Sequence, residues 1–567
     1  MSINIYQIFT RLFMVSEGIN KPFGTIAENG CSKFNHFTDK ALQEIKNMGF
    51  THIWFTGIVR HASCTSYEKF GLESDNPLLV KGVAGSPYAI KDYFDVDPDL
   101  AENVEKRMEE FEALVKRCHR NDLKVIIDFV PNHVYRQYKS NNKVQSIPNL
   151  GEYDDIGVNF APNNNFYYLN GTSFQIPEGI NFPYTAQSQE YIETPAKVTG
   201  NNVFSNRPSI NDWYETVKLN YGIDYQNYEQ KYFYPLPNTW QRMYEILHFW
   251  ASKGIDGFRV DMAEMVPVEF WKWVIEMLKA EYKSIIFIAE VYNPSLYRNF
   301  IFDCNFDYLY DKEEFYNYVR AIISNSASAR LLTQCWQQQE GLSTYLLRFL
   351  ENHDEQRIAS KYFAGDSKKA IPAMIVAATM HQGPLMLYFG QEIGEDATES
   401  EGYSGFDGRT TIFDYWKINK YQKWIDAGNF NIKNLATEQQ FIRNFYCQML
   451  KLRLKYSEIL NGAFYDLMWL NNNNLDSDKV FIYLRFNDNK ALLVVVNFDI
   501  NNSHNFTLNM TAHTFDFMKL LPENEISFKS VFGDNKEFKL KVQEIINNGI
   551  NISLEPNSGK IFEMGWG

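Results

Sequence analysis

Eight short apolar runs, separated by stretches of helical periodicity, constrain this chain more than any other feature. They are INIYQIF (3–9), THIWFTG (51–57), LKVIIDF (123–129), GIDGFRVD (254–261), SIIFIAE (284–290), FDYLY (306–310), STYLLRFL (343–350) and PLMLYFG (384–390). A strand that is apolar on both faces must be covered on both faces. Parallel strands are covered in that way when helices return the chain between them. Helical patterns near 38–48, 101–120, 237–253 and 266–282 supply such returns. The class predicted is α/β, with eight strands favouring a (β/α)8 TIM barrel over an open doubly wound sheet.

Two stretches break the alternation. Residues 134–236 are rich in Asn, Tyr, Pro and Gly and carry no long periodic segment. So long a stretch is not a bare loop in a compact domain, and an inserted subdomain after the third strand is expected. Beyond a helix at 438–456 come alternating segments: AFYDLMWL, KVFIYLRF, ALLVVVNF, NFTLNM, ISFKSVF, EFKLKV and NISLEP. They predict a C-terminal antiparallel β-sandwich. The expected division is therefore a barrel from 1–133 and 237–457, an insert from 134–236 and a sandwich from 458–567.

Composition excludes several partners. With 55 Lys+Arg against 69 Asp+Glu the net charge is -14, which repels polyphosphate and argues against nucleic acid. A hydrophobic content of 45% rules out a disordered chain. No apolar run approaches the roughly 20 residues of a membrane span. The start, MSINIYQIFTRLF, reads as a strand and lacks the features of a signal peptide. A cytoplasmic protein is expected, or a secreted or periplasmic one if a leader has been trimmed. The six cysteines show no zinc-ligand spacing, so neither a zinc site nor a disulfide framework is expected.

Several candidate strands end in acids: Asp128, Asp261 and Glu290, with Asp354 just beyond the seventh. A barrel gathers its strand C-termini on one face, so acids far apart in sequence converge there. Two carboxylates of opposite role suit glycoside hydrolysis, one attacking the anomeric carbon and the other protonating the leaving oxygen. Arg259 lies two residues before Asp261, on the same side of a strand, and would hold it ionised. Glu290 ends an apolar strand, a setting suited to a general acid.

DFVPNH (128–133), GFRVDMAEM (257–265), IAEV (288–291) and FLENHD (349–354) resemble, in order, the motifs of the α-amylase family of glycoside hydrolases. SPYAIKDY (86–93) and LYFGQEIG (387–394) are similar to further segments of that family, and the resemblance spans roughly residues 3–457. It implies a retaining enzyme cleaving α-glucosidic bonds, with α-1,4 links in starch, maltodextrin or malto-oligosaccharides the expected substrate. It implies Asp261 as nucleophile, Glu290 as acid/base and Asp354 as transition-state stabiliser. Arg259 would partner Asp261, His133 and His353 would bond the sugar at the cleavage point, and Tyr88 would stack on it. Asp128 would be structural. The same site could serve a glucanotransferase, and a non-catalytic binding member of the family is the remote alternative.

The sequence also departs from that family's pattern. Many members carry Lys-His three and four residues beyond the nucleophile, where this chain has Glu264 and Met265. A thioether is a poor ligand for calcium. Asn132 matches a calcium-binding position of the family; no cofactor is expected to be required and no metal ligand is assigned, with calcium left as an open alternative whose usual site these residues do not favour. Asp95, Asp97 and Asp99 resemble the start of a calcium loop without its later Gly and Glu. Glu264 is expected to alter the reducing-end side of the cleft, and Asp407 with Arg409 to reach a more distant sugar. In the insert, Tyr167, Tyr168, Trp213 and Tyr214 are candidate stacking platforms.

Overall fold

A computed structural model describes residues 2–141, 147–180, 190–534 and 536–566. Eight parallel strands form one sheet: β1 (Asn4–Phe9), β2 (His52–Thr56), β3 (Lys124–Phe129), β4 (Gly257–Val260), β5 (Ile286–Ala289), β6 (Tyr308–Tyr310), β7 (Leu346–Leu347) and β8 (Leu385–Tyr388). Spatial order follows chain order, and β8 pairs with β1. The remaining gap closes where Arg348 N donates to the Pro384 carbonyl (3.0 Å) and Met386 N to the Arg348 carbonyl (2.8 Å). The result is the (β/α)8 barrel that the apolar runs predict.

Alternate residues of these strands fill the inside. Ile5, Trp54, Ile126, Ile288, Tyr310, Leu347 and Met386 form one buried cluster, one residue from each strand except β4. At β4 the corresponding space is taken by neighbours. A Cβ on Gly257 would come within 2.5 Å of Ile286 Cγ1, so only glycine lets β4 sit this close to β5. The outward faces pack on helices such as Asp39–Met48, Arg107–Arg120, Asn238–Ser252 and Val268–Glu281. Among the described residues no helix is long and apolar enough to cross a membrane.

The long connection from β3 to β4 holds short antiparallel ribbons. His133–Tyr135 pairs with Thr216–Lys218, and Tyr168–Leu169 pairs with Ala196–Lys197. Its Tyr135, Phe174, Ala196 and Tyr214 share a buried cluster with Ala62, Leu79, Val80 and Ala89 of the β2 loop. The segment is thereby fixed above the C-terminal ends of the strands.

After the helix Thr437–Lys455 the chain forms an antiparallel sheet. Its strands are β9 (Ala463–Asp466), β10 (Val480–Phe486), β11 (Lys490–Asn497), β13 (Glu525–Phe532), β14 (Glu537–Lys541) and β16 (Ser558–Gly565), in the order β9-β10-β11-β16-β13-β14. A separate ribbon pairs β12 (His504–Leu508) with β15 (Ile550–Leu554). Two details differ from the sequence reading. AFYDLMWL is a strand only to Asp466, whose carboxylate accepts the Met468 N–H (2.7 Å) and starts a helical turn at Met468–Asn471. The last strand, SGKIFEMG, is absent from the sequence reading because its alternation of buried and half-exposed residues slips at Ile561–Phe562, yet it is central.

Candidate active site

Register explains how distant acids meet. Arg259 lies level with Asp128 on one side and Ile288 on the other, and Val260 level with Phe129 and Ala289. The ladder continues past the strand ends: Asp261 N donates to the Phe129 carbonyl (2.9 Å) and Glu290 N to the Val260 carbonyl (3.0 Å). Asp128 and Arg259 therefore face inward on one level, with Asp261 and Glu290 at the rim above them.

One guanidinium serves this whole group. Arg259 Nη1 donates to Asp261 Oδ1 at 2.8 Å and lies 3.5 Å from Asp128 Oδ1. Its Nη2 lies 2.8 Å from Glu290 Oε2, and its Nε donates to the Tyr310 hydroxyl at 3.2 Å. The sequence suggests Arg259 as the partner of Asp261 alone; the structure makes it common to three acids. Burial pushes the Asp261 carboxyl well up, Arg259 pulls it down, and Glu290 pushes it up again. A single cation does not offset the burial of these carboxylates, and both Asp261 and Asp128 are held above the usual carboxylate range.

Met262 follows with φ of 44°, a left-handed conformation that costs a non-glycine residue energy. That turn aims the Met262 N–H at Glu290 Oε2 (2.8 Å), while the Tyr292 hydroxyl donates to Glu290 Oε1 (2.5 Å). Both Glu290 oxygens are thus oriented before any substrate arrives.

His353 is held from behind. Gln7 Nε2 donates to its Nδ1 (2.8 Å), which leaves the proton on Nε2, 2.5 Å from the Tyr88 hydroxyl and 3.2 Å from Asp354 Oδ2. Burial, aided by Arg259, lowers the His353 pKa to about 3, so the ring is neutral. His133 is also lowered to about 3, by burial and then by Lys218. Tyr88 stacks on His353 with ring centroids 5.3 Å apart, and Arg259 lies 5.4 Å from the Tyr88 centroid.

Asp128 lies below the rim and accepts Trp54 Nε1–H at 3.1 Å. Burial pushes its carboxyl up to about 7 against the pull of Arg259. The folded state therefore keeps a proton that the unfolded chain releases near its ordinary 3.8. That contribution to stability is complete below the unfolded value and is lost as pH climbs through the folded one. Asp128→Asn should flatten the wild-type fall in Tm between about pH 4 and about pH 7. Calorimetric scans of both proteins check this, and equal slopes would refute the assignment.

Asp261, Glu290 and Asp354 line a cleft of about 230 Å³ with Tyr88, His133, Tyr292 and His353. Arg259 lies buried beneath that lining, and Glu264, Asp407 and Arg409 also stay outside it. Glu264 Oε2 accepts the Tyr292 and Asn293 N–H groups (both 3.1 Å), supporting the loop after β5. Asp407 and Arg409 pair with each other at 2.5 Å on an exposed loop. Of the four aromatic platforms only Trp213 lines the cleft, 5.1 Å from the His133 ring. Tyr167 and Tyr168 give their hydroxyls to Ile223 O and Asp154 Oδ2, and Tyr214 is wholly buried.

Sequence reasoning missed Gln7, and also Lys81 and Glu215, which line the cleft as an ion pair. Gln7 had a usable signal: a fully buried amide inside an apolar strand needs partners. Lys81 and Glu215 had none, because each sits in irregular chain.

The calcium position of the family does not suit a metal here. Asn132 Oδ1 accepts a hydrogen bond from Lys218 Nζ, which also donates to the Met265 carbonyl (3.1 Å). Asn132 Nδ2 is committed to the Gly200 carbonyl (2.8 Å). A divalent cation would have to displace the lysine from its buried seat. The acids of DVDPD are likewise engaged: Asp95 with Arg107 at 2.6 Å, Asp97 with His61 at 3.3 Å, and Asp99 with the Tyr67 and Tyr415 hydroxyls.

Residues 7–462 match the family model described as alpha amylase, catalytic domain. The chain belongs to the α-amylase family. It is a glycoside hydrolase. Among relatives, alpha-amylase 3 of Dictyoglomus thermophilum is 21% identical over 92% of this chain and 88% of its own. Trehalose-6-phosphate hydrolase of Bacillus subtilis is also 21% identical, over 87% of this chain and 88% of its own. The maltogenic alpha-amylase AmyB of Thermotoga neapolitana shares the fold with a TM-score of 0.61 at 20% identity, covering 99% of this chain and 98% of that one. The alpha-amylase of Geobacillus thermoleovorans, solved with acarbose, gives 0.62 at 18% identity over the same shares.

Proposed function

We propose that this family member hydrolyses α-glucosidic bonds, principally α-1,4, in starch or maltodextrin with retention of anomeric configuration. The observation that carries the reading is the grip of one guanidinium on Asp261 and Glu290 at adjacent strand ends. Two carboxylates on one cation suit direct attack better than the wider gap an inverting pair leaves for water. Names among the relatives support the substrate class: alpha-amylase 3 of Dictyoglomus thermophilum and a cyclomaltodextrinase of Thermoanaerobacter pseudethanolicus.

Asp261 attacks the anomeric carbon and the bond to the leaving oxygen breaks as that oxygen takes a proton from Glu290. A glycosyl ester on Asp261 results. Glu290 then takes a proton from water, whose oxygen displaces the Asp261 carboxylate and restores the site. Asp354 accepts from sugar hydroxyls most strongly at the transition state, and neutral His133 and His353 bond the same ring. Arg259 stays charged throughout and balances the carboxylate that is ionised at each stage.

The test is a time course on amylose, pullulan, cyclodextrin and isomaltose, with product anomers followed by NMR. The α-anomer should appear first, from amylose most rapidly. First appearance of the β-anomer would sink the two-step mechanism. Products longer than the starting chain on maltoheptaose would point instead to glucanotransfer.

A further inference from the structure

The C-terminal sheet carries a group of aromatic side chains that neither its core nor the cleft uses. Trp469 is 57% exposed and Phe517 52%, and His513 is exposed beside them. All three pack around the buried Tyr465, their ring centroids 6.5 Å (Trp469), 5.5 Å (Phe517) and 6.0 Å (His513) from its own. The Trp469 and His513 planes meet at 88°, with centroids 5.9 Å apart. None of these residues lines the cleft. Large side chains grouped in this way on a surface mark a place of binding, where scattered ones do not.

The group is held from below. Asp466, at the end of β9, accepts the Met468 N–H (2.7 Å) and so starts the turn that carries Trp469. Its other oxygen accepts Thr333 Oγ1–H and Trp336 Nε1–H (both 2.7 Å), which ties the turn to the barrel helix Leu331–Gln338. The buried Asn471 side chain then bonds both backbone groups of Asn509. Its Nδ2 donates to the Asn509 carbonyl (3.1 Å) and its Oδ1 accepts the Asn509 N–H (2.8 Å). Asn509 lies just before the helix Ala512–Phe517, on which His513 and Phe517 stand four residues apart and share a face. Two segments distant in sequence are thus clamped with their rings adjoining. The Tyr465 hydroxyl, 2.8 Å from His513 Nδ1, fixes the orientation of that ring. Trp469 Nε1 and His513 Nε2 are left without a hydrogen bond among the described residues.

We propose that Trp469, His513 and Phe517 hold an α-glucan chain at a site separate from the one that cleaves it. The identity of the ligand rests on the α-glucan reading given above. A glucose ring presents an apolar C–H face and a rim of hydroxyls. Trp469 and Phe517 offer ring faces to the first, while Trp469 Nε1–H and His513 Nε2 can bond the second. Three side chains offer far less than the roughly 800 Å² per partner that a stable protein interface buries, but enough to cover one or two sugar rings. A platform already rigid loses little entropy on binding. Tethering raises the effective concentration of a polymeric substrate and does nothing for a short one.

The test is depletion of the protein from solution by insoluble starch, in an Asp261→Asn background so that nothing is cleaved. Trp469→Ala and Phe517→Ala should each weaken this binding about 5- to 20-fold, and Trp469→Tyr should keep most of it. In the otherwise unaltered enzyme the same changes should leave Tm unchanged and kcat/KM on p-nitrophenyl α-maltoside within about twofold of wild type. Failure of starch to deplete the protein, or undiminished binding in both alanine variants, would overturn the proposal. So would an equal loss on the short glycoside, which marks a structural role. Sedimentation gives a third way to refute it: a wild-type dimer made monomeric by Trp469→Ala, with starch binding intact, assigns the patch to a second copy. Should Trp469→Ala fail to fold, Phe517→Ala carries the comparison. If the wild type cleaves no α-glucoside the catalytic reading fails, while depletion by starch still decides the fate of the platform.

Discussion

Asp261→Asn should lower kcat on soluble starch by about 10⁴-fold or more, with KM little changed. An amide keeps the volume of the carboxylate and accepts the same Arg259 hydrogen bond, now 2.8 Å long. It cannot form the glycosyl ester, so only the chemical step suffers. Glu290→Gln should lose a similar factor on starch but much less on p-nitrophenyl α-maltoside, whose leaving group departs without a proton. Azide, which needs no general base, should then speed its turnover and yield the α-glycosyl azide. The stability effect has the opposite sign. Asp261 is pushed up by burial and by Glu290, so removing its charge relieves repulsion and Tm should hold or rise. Activity on starch within tenfold of wild type for either variant would remove that residue from the mechanism.

The barrel was legible because burial on both faces erases alternation, and eight apolar runs carried that mark. The acids were legible for a related reason. A charged residue at the end of an apolar run, as at Asp128 and Glu290, stands out against its own strand. Short strands were read too long: STYLLRFL contributes only Leu346–Leu347 to the ladder, because barrel closure there uses the backbone of Arg348 rather than a full strand. The resemblance of four short segments then assigned roles that spacing alone could not.

What stayed hidden depends on contacts between irregular segments. Glu264, Asp407 and Arg409 sit close in sequence to cleft residues, yet Glu264 is spent on the neighbouring loop after β5 and Asp407 and Arg409 on each other. Lys81 and Glu215 show the converse, 134 positions apart in sequence and with no periodicity around either. Only the pinning of the β2 loop onto Phe413, and of the insert onto the ribbon at His133, brings them together. Periodicity reports which face of an element is covered. It says nothing about which loops meet.

Lys218 illustrates the same point and carries the second large effect. Lys218→Met should lower stability by about 2–5 kcal/mol, because it strands two buried oxygens that now share one donor. Those oxygens, Asn132 Oδ1 and the Met265 carbonyl, belong to the β3 end and to the turn after Asp261. Burial alone pulls the Lys218 amine down to about 7, and either protonation state can donate to both. Activity should fall as well, since Asn132 Nδ2 lies 3.1 Å from His133 Nδ1 and the Met265 turn adjoins Asp261. The same seat explains why wild-type activity and Tm should be indifferent to a calcium chelator. In Lys218→Ala, whose side chain leaves the seat open, the space is lined by the Asn132 and Met265 oxygens, so added calcium or a small alkylammonium ion should restore part of both. Melting curves and starch hydrolysis, with and without chelator, calcium and propylammonium, check each step. Loss of wild-type activity on chelation would mean that a metal, rather than the lysine, holds the two segments together.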